Sequence, residues 1–306
     1  MLEVRQIESV IVTHWKGFMT AGKTNVSKGS KKQGSYSDVD DQDSDLQADA
    51  EHLTCSFNGR RVFVIGDVHG CVAELNTLVD FIEREKDLGA GDALIFIGDY
   101  IDRGPASKEV IQCLLSLKSR LKSDNYFLKG NHEEMLLDWL FEEGSESASS
   151  YLHNGGRECL ESYGLKSDPR PEDALTQIPK SHMQFFEQLT RYIVSEKFVF
   201  VHAGLNALRP LSHQIDDDIF WIRNEFISNI HSFRKIIIYG HTPFEQVKFH
   251  LPYKIGIDTG LVYGSKLTAI ELSEGELYQI EYGKSEVKVA SFIERELIGH
   301  YRSWVW

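Results

Sequence analysis

Five apolar runs in this 306-residue chain stop in the same way, at Gly followed by a polar residue, or at His. In order they read VIGDVHG, FIGDYIDRG, LKGNHE, FVHAG and YGHT. A short apolar run closed by Gly is the mark of a buried strand. Segments with helical spacing follow the first three: Leu75, Leu78, Val79 and Ile82, then Val110, Ile111, Leu114, Leu115, Leu117 and Leu121, then Leu136, Leu137 and Leu140. This β-α-β-α-β rhythm predicts an α/β sheet with helices packed on it. KIGIDTG, KLTAIEL and ELYQIEY read as later strands. With few helices between them, they are expected to form an antiparallel section or a second sheet.

Ligands of open α/β sheets bind just beyond the strand ends. The polar residues there are Asp67, His69, Asp99, Asp102, Arg103, Asn131, His132, His202 and His241. Each alone has an ordinary use: a buried His, an Asp capping a helix, an Arg in a surface ion pair. Nine at five successive strand ends point instead to a site. Carboxylates, imidazoles and an amide oxygen suit Mn, Fe or Zn. None of these ligands is a Cys, which argues against a closed structural zinc site. The set is large enough for two ions sharing a carboxylate, an arrangement suited to phosphoryl displacement.

GDVHG, GDYIDRG, GNHE, HAG and GHT, in that order, resemble the metal-dependent serine/threonine protein phosphatases of the calcineurin-like metallophosphoesterase superfamily. NGGRECLESYG and FWIRNEF resemble the bacterial and phage-type branch. The resemblance implies a sandwich of two mixed β-sheets flanked by helices, with two divalent ions, Mn first and Fe or Zn next. It implies Asp67 and His69 on one ion, Asp99 bridging, and Asn131, His202 and His241 on the other. His132 would be the general acid oriented by Asp102, and Arg103, Asn131 and Arg223 would hold the phosphate. The implied reaction is attack by a metal-bridging hydroxide on phosphoserine or phosphothreonine, or phosphotyrosine, of a protein or peptide. The alternative is a symmetrical diadenosine tetraphosphate hydrolase, whose motifs are nearly the same. A non-catalytic binding module would lack one of these groups, and none is missing.

The ends differ in texture. Gly17 to Thr24 spell the phosphate-loop pattern GFMTAGKT, but the residues that follow are rich in Gly and Ser and offer no apolar helical face. Asp99, which could serve such a loop, is better used as the metal bridge. Residues 16–52 carry a basic half and then an acidic half with few apolar residues, which predicts disorder. The expected organisation is an extension over 1–58, a catalytic domain over 59–283 and a tail over 284–306. A formal charge of −13 argues against nucleic acid as a partner. The four cysteines have no C-x-x-C spacing, the start lacks an unbroken apolar stretch, and no run is long enough to span a bilayer. A soluble cytoplasmic enzyme is expected, with its oligomeric state open.

Overall fold

The computed structural model describes residues 52–292, apart from 143, 145, 167 and 168. The phosphate-loop pattern, nearly all of the segment expected to be disordered, and residues 293–306 lie outside the described residues.

Two six-stranded sheets pack face to face. The first contains β2 (Val62–Ile65), β3 (Ala93–Phe96), β4 (Asp124–Phe127), β10 (Lys266–Glu271), β11 (Glu276–Glu281) and β12 (Val287–Ser291). Its order is β12-β11-β10-β2-β3-β4. β2, β3 and β4 are parallel, in the register Val62 to Ala93 and Ala93 to Asp124, and β10 is antiparallel to both β2 and β11. The second contains β1 (Leu53–Thr54), β5 (Tyr192–Val194), β6 (Phe198–Val201), β7 (Ile236–Tyr239), β8 (Lys248–His250) and β9 (Lys254–Gly256), in the order β1-β5-β6-β7-β9-β8. Here β6, β7 and β9 are parallel. The fold is thus the expected α/β sandwich of two mixed sheets flanked by helices.

The period-2 pleat sorts each central strand between two cores. Val62, Val64, Ala93 and Ile95 point between the sheets, against Phe198, Phe200, Ile236, Ile238 and Ile255. Phe63, Ile65, Leu94 and Phe96 point the other way, beneath α1 (Val72–Glu85) and α2 (Ser107–Arg120). Strands covered on both faces must be apolar throughout, so VFVI and ALIF show no alternation. Val199, Val201, Ile237 and Tyr239 face a third cluster containing Ile219, Phe220 and Phe226. Truncating Ile95 to Ala would cost about 2–5 kcal/mol through lost burial and a cavity.

β1 precedes residue 59 and pairs with β5, and β12 lies beyond residue 283 and pairs with β11. A two-residue strand and a mostly exposed edge strand have too little apolar pattern to be read in advance. All four cysteines are free thiols. No helix among the described residues is long and apolar enough to cross a membrane.

Candidate active site

The parallel strands of both sheets aim their carboxyl ends at one place. Asp67 follows β2, Asp99 follows β3, His202 follows β6 and His241 follows β7, while Asn131 and His132 open α3 (Asn131–Phe141) just after β4. All six are buried. The backbone is strained to do this. Seven non-glycine residues among those described have positive φ, and five are His69, Asp99, Asp102, Arg103 and His241. Such conformations cost on the order of 1–3 kcal/mol each and persist where surrounding packing enforces them.

The preceding glycines serve the site mainly by lacking a side chain. Gly98 does need its φ of 100°. Gly130 and Gly240 do not, yet a Cβ on Gly130 would collide with Asp99 Oδ1, and one on Gly240 with Asp67 Oδ1. A tight turn, the reason expected from sequence, is therefore only part of the explanation.

Asp99 lies at the centre. Its Oδ2 is 3.3 Å from His69 Nε2 and its Oδ1 is 3.3 Å from His202 Nε2. Asn131 Oδ1 lies 3.0 Å from His202 Nε2 and 2.9 Å from His241 Nδ1. Asp67 Oδ2 accepts the His241 backbone N–H at 2.9 Å. Two of the imidazoles are oriented from behind: Nδ1 of His69 is 2.9 Å from the Ile101 carbonyl, and Nδ1 of His202 is 2.9 Å from that of Ile97. A carbonyl can only accept, so both rings carry the proton on Nδ1 and turn an Nε2 lone pair toward the carboxylate.

These facing acceptors are the test of whether metal fits. His202 Nε2 confronts Asp99 Oδ1 and Asn131 Oδ1, and Asp67 Oδ1 and His241 Nε2 are buried without a partner. Lone pairs gathered in a low-dielectric pocket repel unless a cation lies among them. Two groups have the required convergence, His69–Asp99–His132 and Asp99–His202–His241, and they share Asp99. The arrangement is a binuclear site for divalent metal ions. Burial raises the Asp67 carboxyl well above the usual range, with Asp258 and Asp99 adding repulsion. Burial would raise Asp99 too, but positive charge on His202, His132 or His69 around it pulls it well below the usual value.

Beside the ligands, His132 Nδ1 is 2.6 Å from Asp102 Oδ2. Its Nε2 is buried and unpartnered. Burial pushes His132 down and Asp102 up, each toward its neutral form. Arg103 Nη1 sits 2.6 Å from His69 Nε2. Arg223 is exposed, its Nη1 donating to the His241 carbonyl at 3.4 Å and to Thr242 Oγ1 at 3.3 Å. The ten residues singled out in the sequence therefore converge, with Arg103 beside His69 and Arg223 beside His241.

Two further residues escaped the sequence reading. Glu133 was quoted within GNHE without a role. Its Oε2 accepts the N–H groups of Asp99 and Gly130, at 3.0 and 2.9 Å, and its Oε1 those of Tyr100 and Ile101, at 2.8 and 3.3 Å. One carboxylate thus ties the turn after β3 to the turn after β4. Burial, then Asp99, pushes the Glu133 carboxyl up to about 7, against those donors. Asp258 follows β9, is buried, and accepts the Gly260 N–H at 2.9 Å. Its signal was available in part, because IGIDTG is also an apolar run that ends at a polar residue.

This fold with this donor set defines a metallophosphoesterase. The sequence matches the calcineurin-like phosphoesterase family over residues 60–266, and the chain belongs to that family. Among curated relatives it is similar to the asymmetrical bis(5'-nucleosyl)-tetraphosphatase PrpE of Halalkalibacterium halodurans, 28% identical over 71% of this chain and 92% of that protein. The PrpE of a Geobacillus species is 27% identical over 72% of this chain and 94% of its own length. A crystal structure described as a candidate diadenosine tetraphosphatase superposes with a TM-score of 0.57 at 23% identity, covering 75% of this chain and 97% of that one, and supports the fold.

These relatives correct the expectation of a serine/threonine protein phosphatase with a phosphoprotein or phosphopeptide partner. The superfamily level of the resemblance stands, and the branch does not. The physical reason is that the strand-end motifs encode the metal centre and the phosphoryl chemistry. The substrate's remaining bulk is read by rim residues outside those motifs.

Proposed function

We propose that this chain is a metal-dependent hydrolase of bis(5'-nucleosyl) tetraphosphates. The observation that carries the reading is the extent of similarity: the alignments with the two tetraphosphatases span 92% and 94% of those proteins. The edges of the site are consistent with it. Arg103 beside His69 and Arg223 beside His241 offer two guanidinium groups, which suit the anionic oxygens of a polyphosphate. They also supply local positive charge that an acidic chain otherwise lacks.

In this reading Asp67 and His69 hold one ion, Asn131, His202 and His241 the other, and Asp99 both. Mn²⁺ is the proposed metal, with Fe or Zn next, since oxygen and imidazole donors without thiolate accept any of the three. When bound, the ions would supply positive charge to the phosphoryl oxygens and make a bound water more acidic. Arg103, Asn131 and Arg223 hold phosphate oxygens. His132, oriented through Nδ1 by Asp102, presents Nε2 to donate a proton to the departing phosphate oxygen. Water adds to phosphorus, the P–O–P bridge breaks, and its oxygen leaves with the departing nucleotide.

We propose the asymmetrical division, because that is the mode in the relatives' names. Four phosphates then part as a nucleoside triphosphate and a nucleoside monophosphate. The test is anion-exchange analysis of products from diadenosine tetraphosphate with Mn²⁺-loaded protein, using Asp99→Asn as the blank. ATP and AMP in equal amounts support the proposal. ADP alone would replace it with the symmetrical mode, and an intact dinucleotide would overturn it.

A further inference from the structure

Among the described residues, the most solvent-exposed aromatic side chain is Tyr263, at 63%. It stands beside a phosphate clamp: the Arg103 guanidinium carbon lies 5.6 Å from the centre of its ring. Exposing so much apolar surface there does nothing for the core.

The turn that carries it is rigid. Gly260 and Gly264, at φ 70° and 86°, bracket Leu261–Tyr263. Leu261 is buried in the core under the first sheet. Asp258 Oδ1 takes the Gly260 N–H at 2.9 Å, and the Gly260 carbonyl takes the Tyr263 N–H at 3.0 Å. The turn is therefore pinned at one end to the buried Asp258 beside the metal ligands and at its centre to the core. A preorganised ring is a good partner for a planar ligand, because little freedom is lost on binding. Trp221, a second aromatic beside the site, has less surface to offer. It is half-buried, packs in two clusters, and donates its indole N–H to Glu134 Oε2 at 2.9 Å.

We propose that Tyr263 is a stacking platform for a nucleoside base whose 5'-phosphate is held at Arg103. The proposal rests on the dinucleotide reading above and deepens it. Stacking tolerates any base, because every base has a π-face, so the platform selects nucleotides over bare phosphates without selecting among nucleotides.

The test compares wild type, Tyr263→Ala, Tyr263→Phe and Tyr263→Trp, all loaded with Mn²⁺. Calorimetry gives the affinities for AMP and for inorganic phosphate, and kinetics give KM and kcat for diadenosine tetraphosphate. Tyr263→Ala is expected to weaken AMP and raise KM by about tenfold, with kcat within about twofold and phosphate affinity unchanged. Tyr263→Phe and Tyr263→Trp, which keep a ring, stay close to wild type. Equal weakening of AMP and phosphate would mean that Tyr263 only props Arg103, and would overturn the platform. So would an AMP affinity untouched by loss of the ring. A wild type that spares the dinucleotide refutes the function proposed above, and the AMP-to-phosphate comparison still decides the platform separately.

Discussion

His132 Nδ1 lies 2.6 Å from Asp102 Oδ2, and neither residue is accessible to solvent. The bond fixes the ring and leaves Nε2 facing the metal ligands. General-acid help matters most when the leaving oxygen is a poor leaving group, as an alkoxide is. A departing nucleotide phosphate is far less basic. His132→Asn is therefore expected to lower kcat on diadenosine tetraphosphate by about 10²-fold, the low end of the usual range. On an alkyl phosphate the loss should be larger. Metal content, read by elemental analysis, should hold; a variant that loses metal would make His132 a ligand, as its place beside His69 and Asp99 allows.

Glu133 joins two site turns through four backbone N–H groups. In Glu133→Gln an amide NH₂ must face two of those donors. The expected cost is about 2–4 kcal/mol of stability, from unsatisfied buried donors. Urea denaturation measures it, and an unchanged midpoint would show that the turns hold without the carboxylate.

Stripping the metals should destabilise the fold as well as stop the reaction. Asp67, Asp99 and Asp258 are buried together, and two imidazole lone pairs face them. EDTA is expected to abolish turnover and lower Tm by several degrees, and Mn²⁺ to restore both. Full activity in protein shown free of metal would remove the binuclear mechanism.

His231 gives a pH signature away from the site. Its Nε2 bonds the Tyr253 carbonyl at 2.9 Å, and burial pushes the imidazole down to about 4 from its usual 6.5. Between those values the unfolded chain takes a proton that the folded chain refuses. Stability from this group is thus constant above about 6.5 and falls as pH drops toward 4. His231→Phe removes the penalty. Its unfolding free energy, relative to wild type, should improve on the order of 2 kcal/mol between pH 7 and pH 4. Parallel stability curves for the two proteins would contradict this.

The sequence by itself determined the central strands and the three helices that follow them, and it pointed to ten polar residues that the fold brings near one another. It could do so because apolar runs and helical spacing are local, and each functional residue comes just after such a run. It did not reveal β1, β5 and β8, which are strands of two or three residues defined by their partners, or β12, a mostly exposed edge strand. Only the tertiary structure decided what Glu133 does, since three of its four partners follow another strand, and that Asp258 lies near Asp67. The tertiary structure also explains why Gly130 and Gly240 must be glycine: carboxylates from distant strands occupy the space of a Cβ. The substrate was misread for a related reason. The ligand motifs are dictated by the metal centre, whereas residues such as Tyr263 lie outside those motifs and only folding brings them beside it.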